Sequence, residues 1–163
     1  MPRVYLSLGS NIDAHSNLRA GMQDLHAHYG ELQVSTVYES EAVGFDGDNF
    51  INFVVGLDTD EDVHTVQATM SAIEQAHGRV RGAEKFSSRT LDIDILLYDD
   101  LVINENGLHL PRDEIEKYAF VLQPLAELAP QLKHPVSGKT YAELWQGFDK
   151  SKANQWPVAL SFN

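Results

Sequence analysis

The chain opens with a short apolar run, Val4-Tyr5-Leu6-Ser7-Leu8, closed by Gly9-Ser10-Asn11, the pattern of a strand that ends in a turn. Apolar residues then switch to helical spacing at Leu18, Met22, Leu25 and Tyr29, which predicts a helix over 16–29 with Gly30 just past its end. Residues 32–40 carry the β-branched Val34, Thr36 and Val37 and read as a second strand. Two glycines and three acids make 41–49 a loop, and the Ile, Phe and Val content of 50–57 makes a third strand. Thr59 and Asp62 have the spacing of a capping box before a second helix, whose Val63, Val66, Met70 and Ile73 share one face up to about His77. Gly78 releases the chain, and 90–98 form a fourth strand.

Strand, helix, strand, strand, helix, strand is the split pattern of an α+β fold, a ferredoxin-like βαββαβ sandwich. Two helices would cover one face of four strands and leave the other available for a site. Past Tyr98 the pattern predicts a C-terminal helical and loop extension. Pro124 suits the first turn of a short helix, and Thr140-x-x-Glu143 caps another. All 163 residues then form one domain, with a core over about 4–135 and an extension over about 136–163.

The fourth strand carries the chemistry. A strand alternates faces, so Asp92 and Asp94 point one way while Leu91, Ile93, Ile95 and Leu97 point the other. Just upstream lie Arg79, Arg81, Lys85 and Arg89, four of the twelve Lys and Arg in a chain of net charge -12. Side-by-side carboxylates suit a hard cation such as Mg²⁺ that keeps waters and bridges to phosphates. Guanidinium forks match phosphate oxygens. The stretch reads as a nucleotide-triphosphate site, although alternating charge on a half-buried strand also occurs with no function at all.

Composition narrows the classes. With 43% hydrophobic and 22% charged residues the chain is globular, and without cysteine it has no disulfide, thiolate metal site or Cys nucleophile. The N-terminal residues lack a signal-peptide apolar core and no run is long enough to span a bilayer, so a cytoplasmic protein is expected. The acidic balance argues against nucleic acid and anionic membrane as partners. The seven histidines show no metal-ligand spacing.

Several segments together resemble 6-hydroxymethyl-7,8-dihydropterin pyrophosphokinase, a family of folate biosynthesis. They are Leu8-Gly9-Ser10-Asn11, Val43-Gly44, Asn52, Gly78-Arg79-Val80-Arg81, Arg89-Thr90-Leu91-Asp92-Ile93-Asp94-Ile95 and Phe120-Val121-Leu122 with Pro124-Leu125-Ala126-Glu127-Leu128-Ala129-Pro130. The resemblance implies a kinase-type transferase that moves pyrophosphate from ATP, its co-substrate, to the hydroxymethyl group of a reduced pterin, releasing AMP. Two Mg²⁺ ions would be held by Asp92 and Asp94, with Arg79 and Arg89 completing the catalytic set. Nucleotide contacts would come from Glu74, Arg79, Arg81, Lys85, Arg89 and Arg112. The pterin would meet Val43, Gly44, Phe50, Asn52 and Phe120, and Gly9 and Gly44 would let backbone approach closely. A monomer is expected. Where the family usually has a histidine after Leu-Pro, this chain has Arg112-Asp113-Glu114, and Tyr118 stands where an arginine is common.

Other readings stay open on the residues alone. Phe50 and Phe120 could be core aromatics, and Glu74 a solvated helix position. The chain could be a catalytically weak or inactive paralogue that binds pterin or nucleotide. RNA-recognition domains share the strand and helix order, but they read bases with a basic, aromatic sheet face that this acidic chain lacks.

Overall fold

The structure is a computed structural model and describes residues 1–41, 47–78 and 90–160. In chain order the elements are β1 (Arg3–Ser10), α1 (Ala14–Tyr29), β2 (Gln33–Val34), β3 (Val37–Ser40), β4 (Phe50–Asp58), α2 (Val63–Ala76) and β5 (Asp92–Tyr98). Then come β6 (Ile103–Glu105), β7 (Leu108–Leu110), α3 (Glu114–Lys117), α4 (Ala119–Leu128), α5 (Tyr141–Gln146) and β8 (Gln155–Val158). The main sheet runs β5-β1-β4-β3-β8, with β2 also paired to β4 and every pairing antiparallel. The fold is α+β, and β6 and β7 form a separate hairpin.

Several elements differ from the sequence pattern for local reasons. The second strand is two pieces, because Ser35 interrupts it. The Ser35 N–H donates to the Val54 carbonyl while its Oγ accepts from Val54 N–H, both at 2.9 Å. A hydroxyl replaces a carbonyl in the ladder, and the next N–H, Thr36, turns away to Glu127 Oε2 at 2.7 Å. Helix α1 begins two residues early, at Ala14, and Gly30 takes the expected positive φ of 80°. Helix α2 is capped by Asp62, whose Oδ1 accepts from Thr65 N–H at 2.8 Å. Thr59 instead accepts from Glu61 N–H, so the capping box is not formed there. The box at Thr140 and Glu143 is complete. Pro124 lies inside α4 and not in its first turn. Its missing N–H leaves out the bond a helix would make to the Phe120 carbonyl.

Both faces of the sheet are covered, contrary to the two-layer expectation. Val4, Leu6 and Leu8 of β1, Phe53, Val55 and Leu57 of β4, and Leu91, Ile93 and Ile95 pack with α1 and α2. On the opposite face Tyr5, Val54, Leu96 and Leu97 pack against Ile115, Val121, Leu122, Leu125 and Tyr141 of α3, α4 and α5. Leu97 therefore does not share the side of Ile95. The register slips between Tyr5 and Leu6, so that Tyr5 faces Leu97 and Leu6 faces Ile95, and the extra residue reverses the alternation. The C-terminal stretch is more than helix and loop. Its β8 pairs with β3, and Gln155 Nε2 donates to the Ala119 carbonyl at 3.1 Å, tying the sheet to α4.

Hydrogen bonds from Thr65 hold the Asp62 carboxyl below its ordinary value of 3.8, and those from Thr140 hold Glu143 below 4.5. A depressed carboxyl stabilises the fold fully above its unfolded-state pKa and loses that contribution as pH falls through the folded value. Thermal melts between about pH 6 and pH 3 should therefore show stability falling below about pH 4.5, with a shallower acid decline in an Asp62→Ala, Glu143→Ala double variant.

Candidate active site

The register of three strands assembles the site. Gly9 on β1 is paired with Asp92 on one side and Asn52 on the other, and Ser7 lies between Asp94 and Val54. Directly opposed residues point to the same face, so Asp92, Asp94, Gly9 and Asn52 share one. It is the α4 face, at the end beyond Val54. Phe50 lies two residues from Asn52 on β4, half-buried, on the same side. The carboxylate and the amide are two strand spacings apart, roughly 10 Å. Between them Gly9 offers no side chain. A Cβ there would lie 3.0 Å from Asn52 Oδ1 and 3.3 Å from Nδ2, so the amide lies directly over the glycine.

Asn52 is only 5% exposed, and among the described residues its Oδ1 has no hydrogen-bond partner. A buried carbonyl oxygen without a donor is costly, of order 1–3 kcal/mol, unless a ligand completes it. Phe120, half-buried in the first turn of α4, stacks on Tyr118 with ring centroids 5.0 Å apart and planes at 15°. It packs beside the apolar cluster on the face that carries Asn52.

Neighbouring elements grip the aspartate strand from two directions. Glu74 of α2 accepts from Ile93 N–H at 2.8 Å, midway between Asp92 and Asp94. Arg112, between β7 and α3, donates its backbone N–H to the Leu96 carbonyl at 3.1 Å. Its guanidinium lies 3.5 Å from Asp94 Oδ1 and pairs through Nε with Glu114. Burial works to lower the Arg112 pKa, but Asp94, Glu114 and Asp92 outweigh it and the guanidinium is held above its ordinary value. Asp94 is part-exposed at 34%.

The turn after β1, a weak signal in the sequence, has a definite part. Ser10 is fully buried and donates to the Thr90 carbonyl at 2.5 Å, and the nearly buried Asn11 donates to the Asp48 carbonyl at 3.1 Å. One turn therefore holds both segments that enter β5 and β4. The signal for it was a Ser-Asn pair after an apolar strand, too common to single out. Of the residues predicted from sequence, the fold brings Asp92, Asp94, Asn52 and Phe50 to one face, with Arg112 against Asp94 and Glu74 behind the strand. Val43, Gly44, Arg79, Arg81, Lys85 and Arg89 lie outside the described residues.

Among the described residues no group of three His, Cys, Asp or Glu converges as a metal cage. Asp92 and Asp94 are a two-carboxylate set, which fits a hard cation that takes its other ligands from water and phosphate. Five histidines sit against carboxylates, as in His77 with Asp24 at 2.8 Å and His134 with Glu116 at 3.2 Å. None of them joins the aspartates. No described helix is long and apolar enough to cross a membrane.

A family model described as 7,8-dihydro-6-hydroxymethylpterin-pyrophosphokinase (HPPK) matches residues 5–130. The chain belongs to the HPPK family. As an HPPK it is a transferase, a pyrophosphokinase of folate biosynthesis. The 2-amino-4-hydroxy-6-hydroxymethyldihydropteridine pyrophosphokinase of Aquifex aeolicus is 37% identical over 145 residues, covering 88% of this chain and 90% of that one. The Pseudomonas aeruginosa protein of the same name is 37% identical over 147 residues, covering 87% and 89%. Folic acid synthesis protein fol1 of Schizosaccharomyces pombe is 35% identical over 98% of this chain, which spans 22% of that larger protein. Among solved structures, wild-type HPPK-DHPS of Plasmodium falciparum superposes with a TM-score of 0.74 at 15% identity. It covers 98% of this chain, and the chain spans 48% of it; at that identity the likeness establishes the fold. The family match ends at residue 130, before α5 and β8.

Removing the Glu74 carboxylate strands the Ile93 N–H on β5. Glu74→Ala should lower stability by about 1–3 kcal/mol in denaturant unfolding. It should also speed amide exchange at Ile93 more than at residues of β1.

Proposed function

We propose that this HPPK transfers pyrophosphate from ATP to the hydroxymethyl group of 6-hydroxymethyl-7,8-dihydropterin, releasing AMP, on the sheet face shared by Asp92, Asp94 and Asn52. The observation that carries the assignment of residues is the Asn52 amide. It is buried, aligned over Gly9 and lacks a partner for Oδ1 among the described residues, on the same face as the aspartate pair. A pterin edge presents N–H donors and ring acceptors that an amide can meet in both directions. Phe120 and Phe50 would supply apolar faces for the flat ring, and main-chain groups at Val43 and Gly44 a further edge. Selectivity built this way is sharp, because an analogue without the matching group leaves buried polar atoms unpaired.

On the nucleotide side the chain's task is to position and neutralise. Asp92 and Asp94 are the residues that would hold two Mg²⁺ ions, which when bound offset the charge of the phosphates and of the attacking and leaving oxygens. Arg79, Arg81, Lys85, Arg89 and Arg112 would face the triphosphate, with Arg79 and Arg89 in the catalytic set. Glu74, assigned to the nucleotide side by resemblance, would act at least through the strand it holds. The β5-β1-β4-β3 order fits a ferredoxin-like core, extended by β8. All these groups come from one copy of the chain, which fits a monomer working in the cytoplasm on ATP and the reduced pterin.

Incubation with ATP, Mg²⁺ and hydroxymethyl-dihydropterin should release AMP, and Asp94→Ala should reduce that release to background. Asn52→Ala should raise the pterin KM roughly tenfold or more while changing the ATP KM little. Binding of both substrates with no AMP at high enzyme concentration would make the chain a binding module.

A further inference from the structure

We propose that Arg112 is a displaceable internal counter-ion of the aspartate pair. Its guanidinium holds Asp94 while no divalent cation is bound, and turns to the triphosphate when a cation takes that carboxylate. The inference rests on the assignment of Asp92 and Asp94 as the divalent-cation residues.

The geometry gives Arg112 one fixed end and one loose end. Its backbone is tied to β5 by the bond to the Leu96 carbonyl at 3.1 Å, two residues past Asp94. Its Nε is paired with Glu114 Oε2. The far tip, Nη2, stands 3.5 Å from Asp94 Oδ1, within ion-pair range but longer than the 2.7–3.2 Å of a good N–H···O bond. This is not the bidentate fork that locks an arginine to a carboxylate. Both partners are also reachable, with side chains 32% and 34% exposed. Arg112 is thus held near the carboxylate by contacts that do not involve it, and its hold on Asp94 is the weakest of the three.

The two positive charges conflict once a cation arrives. A divalent cation on Asp94 and a guanidinium 3.5 Å from the same oxygen repel each other, so binding of the cation must move the guanidinium tip. Glu114 and the Leu96 carbonyl keep the rest of the residue in place. The fork then stands beside the cation, where anionic phosphate oxygens would arrive. Such a residue weakens binding of the bare cation and strengthens binding of the cation with its nucleotide, which biases the site toward the complete complex.

The test uses the full chain. Mn²⁺ affinity by electron paramagnetic resonance, without nucleotide, should be reduced in Asp94→Ala. It should be tighter by roughly two- to fivefold in Arg112→Ala, the scale of removing a half-exposed pair. With the non-hydrolysable analogue AMPPCP present the order should reverse, Arg112→Ala binding the Mn²⁺-nucleotide more weakly than wild type. Displacement itself is read from the ¹⁵Nη2–H₂ signal of Arg112, the group that faces Asp94, assigned by its loss in Arg112→Lys. It should shift on adding Mg²⁺ to wild type and stay still in Asp94→Ala. An unmoved resonance in protein that binds the cation, or unchanged or weaker Mn²⁺ affinity in Arg112→Ala, overturns the counter-ion. If Asp94→Ala binds Mn²⁺ as well as wild type does, the metal assignment itself falls. Thermal midpoints of Arg112→Ala and Arg112→Lys near that of wild type confirm that the variants report on the site.

Discussion

Strand β1 is hydrogen-bonded on both sides, to β4 and to β5, and its register is the constraint on which the site depends. Gly9 faces Asp92 across one ladder and Asn52 across the other. A slip of one residue in either pairing would send the aspartates or the amide to the opposite face. That register is held by burial, since Val4, Leu6 and Leu8 are fully buried between the sheet and the first two helices. The apolar half of the strand places the polar half. Ser10 and Asn11 extend the control past the strand end by anchoring Thr90 and Asp48, so the entries to both partner strands are set from one turn.

Strand β5 lies at the other limit of the sheet, where an unpaired edge has backbone groups to satisfy. Here the partners are a carboxylate from α2 and a backbone N–H from the segment before α3. One contact falls between the aspartates and the other two residues past Asp94, so the groups that stabilise the edge also orient the acidic pair. The irregularity farther along the strand has a comparable effect. By turning Leu97 to join Leu96 toward α3, α4 and α5, it widens the apolar end of the face whose other end carries the acids. The helices consequently cover only the far part of that face. The near part is left to Asp92, Asp94 and Asn52.

Much of this was legible in the sequence. Period-two and period-3.6 patterns marked the main strands and helices, Gly30 marked the end of α1, and Thr140 with Glu143 marked the start of α5. The Asp-x-Asp strand and a polar Asn52 inside an apolar strand marked the candidate site residues. Less legible were the features that depend on distant partners. The split of the second strand follows from a Ser35 hydroxyl substituting in the ladder of β4 and from a Glu127 carboxylate on α4, and neither is visible in local spacing. Pro124 looked like a helix start because propensity disfavours it inside a helix, yet tertiary packing of α4 on the sheet overrides that preference.

Local alternation, caps and charge type were determined by the sequence itself, because they depend on neighbours a few residues apart. It therefore specified that two acids would share one side of a strand and that a glycine and an asparagine would end and interrupt apolar strands. Only the tertiary structure decided that these fall side by side, that a second helical layer covers half of their face, and that Arg112 rests on Asp94. Those outcomes depend on register and on contacts between residues far apart in the chain, for which short-range periodicity carries no information.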